Sequence, residues 1–148
     1  MYKNSAREYS KVNLQTEIME ADPHKLIQLL LEGALTRLSI AKNMIETKDF
    51  SGKNQKIGNV VDIICALQES LDHERGGDVA KNLERLYDYM TRRLWDANRL
   101  NDTDIINEVM SLLLEVKSGW EGIRKEYLEK FIKEDTEGKK GSKSEISV

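Results

Sequence analysis

SLDHERGGDVAKNLERLYDYMTRRL, residues 70–94, decides how the rest of the chain is read. Gly76 and Gly77 can take the left-handed backbone geometry that ends a helix, and Asp78 can cap a new one by accepting from its free N–H groups. The stretch is therefore expected to be an αα-hairpin that reverses at the diglycine. Beyond that turn, Leu83, Leu86, Tyr87, Met90, Leu94 and Ala97 recur at steps of three and four, which places them on one stripe of a helix facing a core. Tyr89 and Arg93 lie beside the stripe, on a flank that fits a core edge or a partner groove equally well.

Working outward, the same periodicity appears three more times. Asp22-Pro23 is a helix start, because Asp caps free N–H groups and Pro in the first turn has no N–H to leave unsatisfied. A first helix to Glu46 carries Ile27, Leu30, Leu31, Ala34, Leu38, Ala41 and Ile45 on one stripe. Residues 48–52 form a break, with Ser51 as the expected cap. A second helix then places Ile57, Val60, Val61, Ile64, Leu67 and Leu71 on its apolar face. With Ile63 added, that face is wide enough to be buried on two sides. The third helix is expected over Val79 to Arg99. After the Asn101-Asp102 break, a fourth carries Ile105, Val109, Leu112, Leu113, Val116, Trp120, Ile123, Tyr127 and Phe131. From Lys133 onward Lys, Glu, Gly and Ser dominate, a composition that predicts a disordered tail.

These elements predict an all-α fold, an antiparallel up-down-up-down four-helix bundle over residues 22–131. A mobile N-terminal arm with a short helical turn occupies residues 1–21, and the disordered tail residues 132–148. The arm carries Tyr2, Tyr9 and Val12, spaced so that it can dock on an apolar groove. A chain of 148 residues is enough for one core, and its 33% charged residues, nine Gly and single Pro suit long solvated helices.

Several function classes are excluded by composition. The net charge of −3 with both signs interspersed lacks the concentrated basic surface of a nucleic-acid binder. No apolar run approaches a membrane span and no basic leader precedes a hydrophobic stretch, so the expected location is the cytoplasm, without membrane insertion. The single Cys65, among Ile63, Ile64, Ala66 and Leu67, is expected to be a small buried residue and not a reactive thiol. A di-metal bundle needs Glu-x-x-His on two helices, whereas the only histidines, His24 and His73, have no Glu three residues before them. Gly76-Gly77 lacks the Lys-Ser/Thr of a nucleotide loop, and no nucleophile motif is present. The reading is of a non-enzyme that needs no cofactor and no metal.

Two stretches, SLDHERGG with NLERLYDYMTRRL and DPHKLIQLLLEGA at residues 22–34, resemble the hallmarks of the FliS-type flagellar export chaperones. The resemblance runs from about Tyr9 to Tyr127. It implies a secretion chaperone that holds the disordered C-terminal segment of flagellin, prevents premature polymerisation and engages the flagellar type III export gate. Whether a flagellin-regulating antagonist also docks is left open. The resemblance implies groove-facing, flagellin-binding roles for Tyr9, Ile57, Val60, Ile64, Leu67, Tyr87, Met90 and Leu94. The chain departs from the family at Leu31, where an aromatic is common, so a hydrogen bond from that site does not carry over. Trp95 falls off the third helix's apolar stripe, beside Asp88, Thr91, Arg92 and Arg99. It is expected to be partly exposed and to mark a second partner surface, the alternative being that the fourth helix or the arm covers it. The periodicity by itself also fits a self-associating helical scaffold or a metal-dependent bundle enzyme.

Overall fold

The computed structural model describes residues 22–137 as four helices: α1, Pro23–Glu46; α2, Phe50–Glu69; α3, His73–Leu100; and α4, Thr103–Glu137. No strand occurs among the described residues.

Each helix begins on an aspartate. Asp22 accepts from the Lys25 N–H at 2.8 Å and Pro23 follows it, as the sequence predicts. Asp49, and not Ser51, caps α2: its Oδ1 accepts from the Gly52 N–H at 3.1 Å. The choice is steric as well as polar. A Cβ at residue 52 would lie 2.6 Å from Asp49 Oδ2 and 2.9 Å from Met44 Sδ, so Gly52 leaves room for the capping carboxylate. Asp102 Oδ1 accepts from the Asp104 N–H at 2.9 Å, and Asn101 takes the left-handed conformation (φ 51°, ψ 43°) that closes α3.

The reversal in the middle of the chain is displaced from its expected place. The chain leaves α2 at residues 70–72, and Asp72 caps α3 by accepting from the Glu74 and Arg75 N–H groups, both at 3.1 Å. Asp78 is not the cap. Gly77 (φ 50°, ψ −124°) instead breaks the helical geometry inside α3, leaving a first turn that starts at His73 ahead of the main helix. Asp72 takes the place expected for Asp78 as the start signal because its side chain satisfies two orphan N–H groups, and Gly77 then absorbs the change of direction.

Polar contacts fix the direction of each helix. His24 at the start of α1 stacks on Trp120 midway along α4, and the indole Nε1 donates to the His24 carbonyl at 2.8 Å. Lys53 at the start of α2 reaches the end of α3, and Arg93 of α3 meets Glu108 near the start of α4. Consecutive helices are thus antiparallel, and α1 closes the ring by packing on both α2 and α4. The interior is filled by Leu31 and Leu38 from α1, Ile57, Ile64 and Leu67 from α2, Met90 and Leu94 from α3, and Ile106, Val109 and Leu113 from α4.

Cys65 is exposed, contrary to its expected burial. Its apolar sequence neighbours misled the reading: Ile64 faces the core, and one further residue turns the next side chain about 100° away.

Lys53 interrupts the apolar stripe of α2 yet is buried. Its ammonium donates to the Asn98 carbonyl at 2.9 Å and to Asn101 Oδ1, which places a cation on the C-terminal end of α3, where the helix dipole favours it. Burial pushes its pKa down from the ordinary lysine value. Replacing Lys53 with Met strips the donor from two acceptors and should lower unfolding stability by about 1–3 kcal/mol. Urea denaturation should register this as a lower midpoint with an unchanged slope.

Candidate binding surfaces

The side chains expected to face a groove come together, but inside the bundle. Ile57, Val60, Ile64, Met90 and Leu94 have no accessible surface, and Leu67 and Tyr87 are also buried. They form one cluster with Leu31, Leu38, Val109 and Leu113, so none of the seven is open to a partner in this structure. Tyr9, the eighth, and the rest of the arm lie outside the described residues. Leu31 is fully buried.

The apolar groups that do face water are different ones. Ile40, Phe50, Val79, Trp95, Leu100, Leu114 and Ile123 are exposed, drawn from all four helices. Trp95 is 47% exposed, as its place off the stripe predicts. The ring of Phe50 lies under the Lys53 ammonium, 5.5 Å from its centroid.

Tyr89 and Arg93, the flank with two readings, join a polar seam between α3 and α4. Arg93 Nε donates to Glu108 Oε1 at 2.8 Å and the Tyr89 hydroxyl donates to Oε2 at 3.0 Å. Arg93 also reaches Asp96 at 3.3 Å, which Arg99 approaches from the other side at 3.4 Å. The Arg93 hydrogen bond, followed by that from Tyr89, holds the Glu108 carboxyl below the usual carboxylate range. The same hydrogen bond to Glu108 holds the Tyr89 hydroxyl above its ordinary value. Glu108 was not singled out in the sequence. Its signal there is a carboxylate one position before Val109, on the shoulder of the α4 stripe. Among the described residues, no group of three His, Cys, Asp or Glu side chains is placed to hold a metal ion. None of the described helices is long and apolar enough to cross a membrane.

The model of the family described as flagellar protein FliS matches residues 5–127. The chain belongs to the FliS family. The match takes in α1, α2 and α3 entirely and most of α4. Among FliS-family relatives, a flagellar secretion chaperone of Pseudomonas aeruginosa is 48% identical over 124 residues, spanning 83% of this chain and 98% of its own. That of Salmonella typhimurium is 39% identical over 125 residues, covering 83% and 93% of the two chains. The Vibrio cholerae protein is 37% identical over 125 residues, covering 84% and 92%.

Two measurements check these placements. Burial pushes the Tyr87 hydroxyl up to about 12 from the ordinary 10.0. Above pH 10 the unfolded chain loses this proton first, so stability present below that pH should fall by about 2 kcal/mol as pH 12 is approached. A Tyr87→Phe variant should remove this component of the alkaline loss. In a Trp120→Phe variant, Trp95 alone should emit at long wavelength and be readily quenched by iodide. A blue-shifted, unquenched signal would contradict its exposure.

Proposed function

We propose that this chain is a flagellar secretion chaperone of the cytoplasm that binds the disordered C-terminal segment of flagellin. By occupying that segment it prevents premature polymerisation and helps deliver flagellin to the type III export gate. The observation that carries the reading is the FliS-family match across all four helices, supported by relatives whose names state a flagellar secretion chaperone. The physical requirements agree with it. A disordered segment that folds on binding loses entropy, so it needs extended apolar contact to compensate, and an amphipathic helix laid on a helical bundle supplies that contact at i, i+3, i+4 and i+7.

Ile57, Val60, Ile64, Leu67, Tyr87, Met90 and Leu94 are buried. In this reading they shape the α2–α3 surface from beneath, and flagellin touches them only where their cover is displaced. Tyr9 is proposed to belong to that contact. First contact falls to apolar side chains already in water. The role is binding and not catalysis, with no cofactor called for; a flagellin-regulating antagonist would be a further partner.

Titrating the protein with a synthetic flagellin C-terminal segment should give one-to-one binding heat together with a gain of helical circular dichroism. No heat and no change in helicity would reject the proposal. Light scattering on the free protein separates it from a self-associating scaffold, which would grow with concentration in the absence of flagellin.

A further inference from the structure

The outward face of α3 carries two rows of mostly basic side chains. Lys81, Arg85, Asp88, Arg92, Trp95 and Arg99 are all exposed on it. They fall in two rows with a seven-residue repeat, Lys81/Asp88/Trp95 and Arg85/Arg92/Arg99. At 1.5 Å per residue each step is about 10 Å, and the ridge from Lys81 to Arg99 is about 27 Å long.

Most of its positive charge is unanswered. Lys81, Arg85 and Arg92 form no ion pair among the described residues. Arg99 shares Asp96 with Arg93. Asp88, the one carboxylate in the two rows, accepts from Gln68 Nε2 at 2.8 Å. Within the two rows four cations face one carboxylate, and the flanking carboxylates Asp78, Glu84 and Asp96 border the ridge and do not interrupt it. Within it, Trp95 sits one turn after Arg92 and one turn before Arg99, its indole 47% exposed. Trp and Arg are the residue types most enriched where binding energy concentrates, and a large apolar ring in water is stabilised by being covered.

We propose that this ridge docks an acidic amphipathic helix from a protein partner. An apolar side chain of that helix covers Trp95, and carboxylates at heptad spacing meet Arg85, Arg92 and Arg99. Charge complementarity selects an acidic occupant, and the seven-residue repeat matches a second α-helix, which presents groups at the same interval of roughly 10 Å along a straight line. A phosphate backbone fits less well: the basic rows are narrow, interrupted by Asp88 and backed by an acidic chain. The proposal does not rest on the flagellin reading, since the two charged rows and Trp95 carry it by themselves.

The probe is a fluorescently labelled synthetic helical peptide with glutamates at heptad spacing on one face and leucine between them, titrated by anisotropy against the full chain. Arg92→Glu and Trp95→Ala should each weaken binding about tenfold. Lys125→Glu, an equal charge change on α4, should leave it unaltered. All three positions are exposed, and far-ultraviolet circular dichroism with a thermal melt confirms that the variants fold. The proposal is overturned if the wild-type chain does not bind the peptide, or if Lys125→Glu weakens binding as much as Arg92→Glu. It is also overturned if heparin binds as tightly as the peptide and Trp95→Ala has no effect, which would mean diffuse attraction for polyanions. A shift in oligomeric state on Arg92→Glu, with no loss of peptide binding, would assign the ridge to a second copy of the chain and defeat the proposal as well.

Discussion

Burial of Leu31, Leu38, Ile57, Ile64, Leu67, Met90, Leu94, Ile106 and Leu113 in one shared interior is the constraint that holds the other features in place. Each such side chain contributes about 1.5–3 kcal/mol on leaving water, whereas an isolated helix of this kind is marginal. No helix can hide its own stripe. The three short links leave consecutive helices antiparallel, and α1 then meets α4 because both still have apolar surface to cover. The polar contacts refine this arrangement: Lys53 sets how far α2 is advanced along α3, and Glu108 does the same between α3 and α4.

Much of this architecture was legible in periodicity and capping. Pro23 after Asp22, the Asn101-Asp102 break and the four stripes place the helices nearly where they stand, since each signal rests on local hydrogen-bonding demands. The misplaced points are those where two local signals compete. Asp49 stands two residues before Ser51 and Asp72 six before Asp78, and in each pair the earlier residue is the cap. Their outcome depends on space, such as the room that Gly52 leaves for a carboxylate.

Function was less legible than fold for a definite reason. A stripe at helical spacing says which side chains avoid water, but a bundle interior and a partner groove remove water equally. Ile57, Val60, Ile64, Leu67, Tyr87, Met90 and Leu94 carry that ambiguity, and in the structure they lie in the interior. Trp95 escaped it because it stands off the stripe, and in the structure it is exposed. Lys53 shows the opposite case: a charged residue on an apolar stripe reads as an error until the end of the neighbouring helix supplies two acceptors.

Gly77 has a consequence for the order in which the protein opens. With φ 50° and ψ −124° it holds a backbone conformation open only to glycine, and the helical hydrogen-bond ladder does not pass through it undisturbed. The turn ahead of it, from His73, carries the Asp72 cap, the Arg75–Asp72 ion pair at 3.7 Å and a contact between exposed His73 and Glu84 at 3.4 Å, and its side chains are outside the core cluster. Cooperativity therefore stops at residue 77. Amide protons in that first turn exchange with solvent through local opening, while those around Met90 and Leu94 exchange only when the whole bundle unfolds.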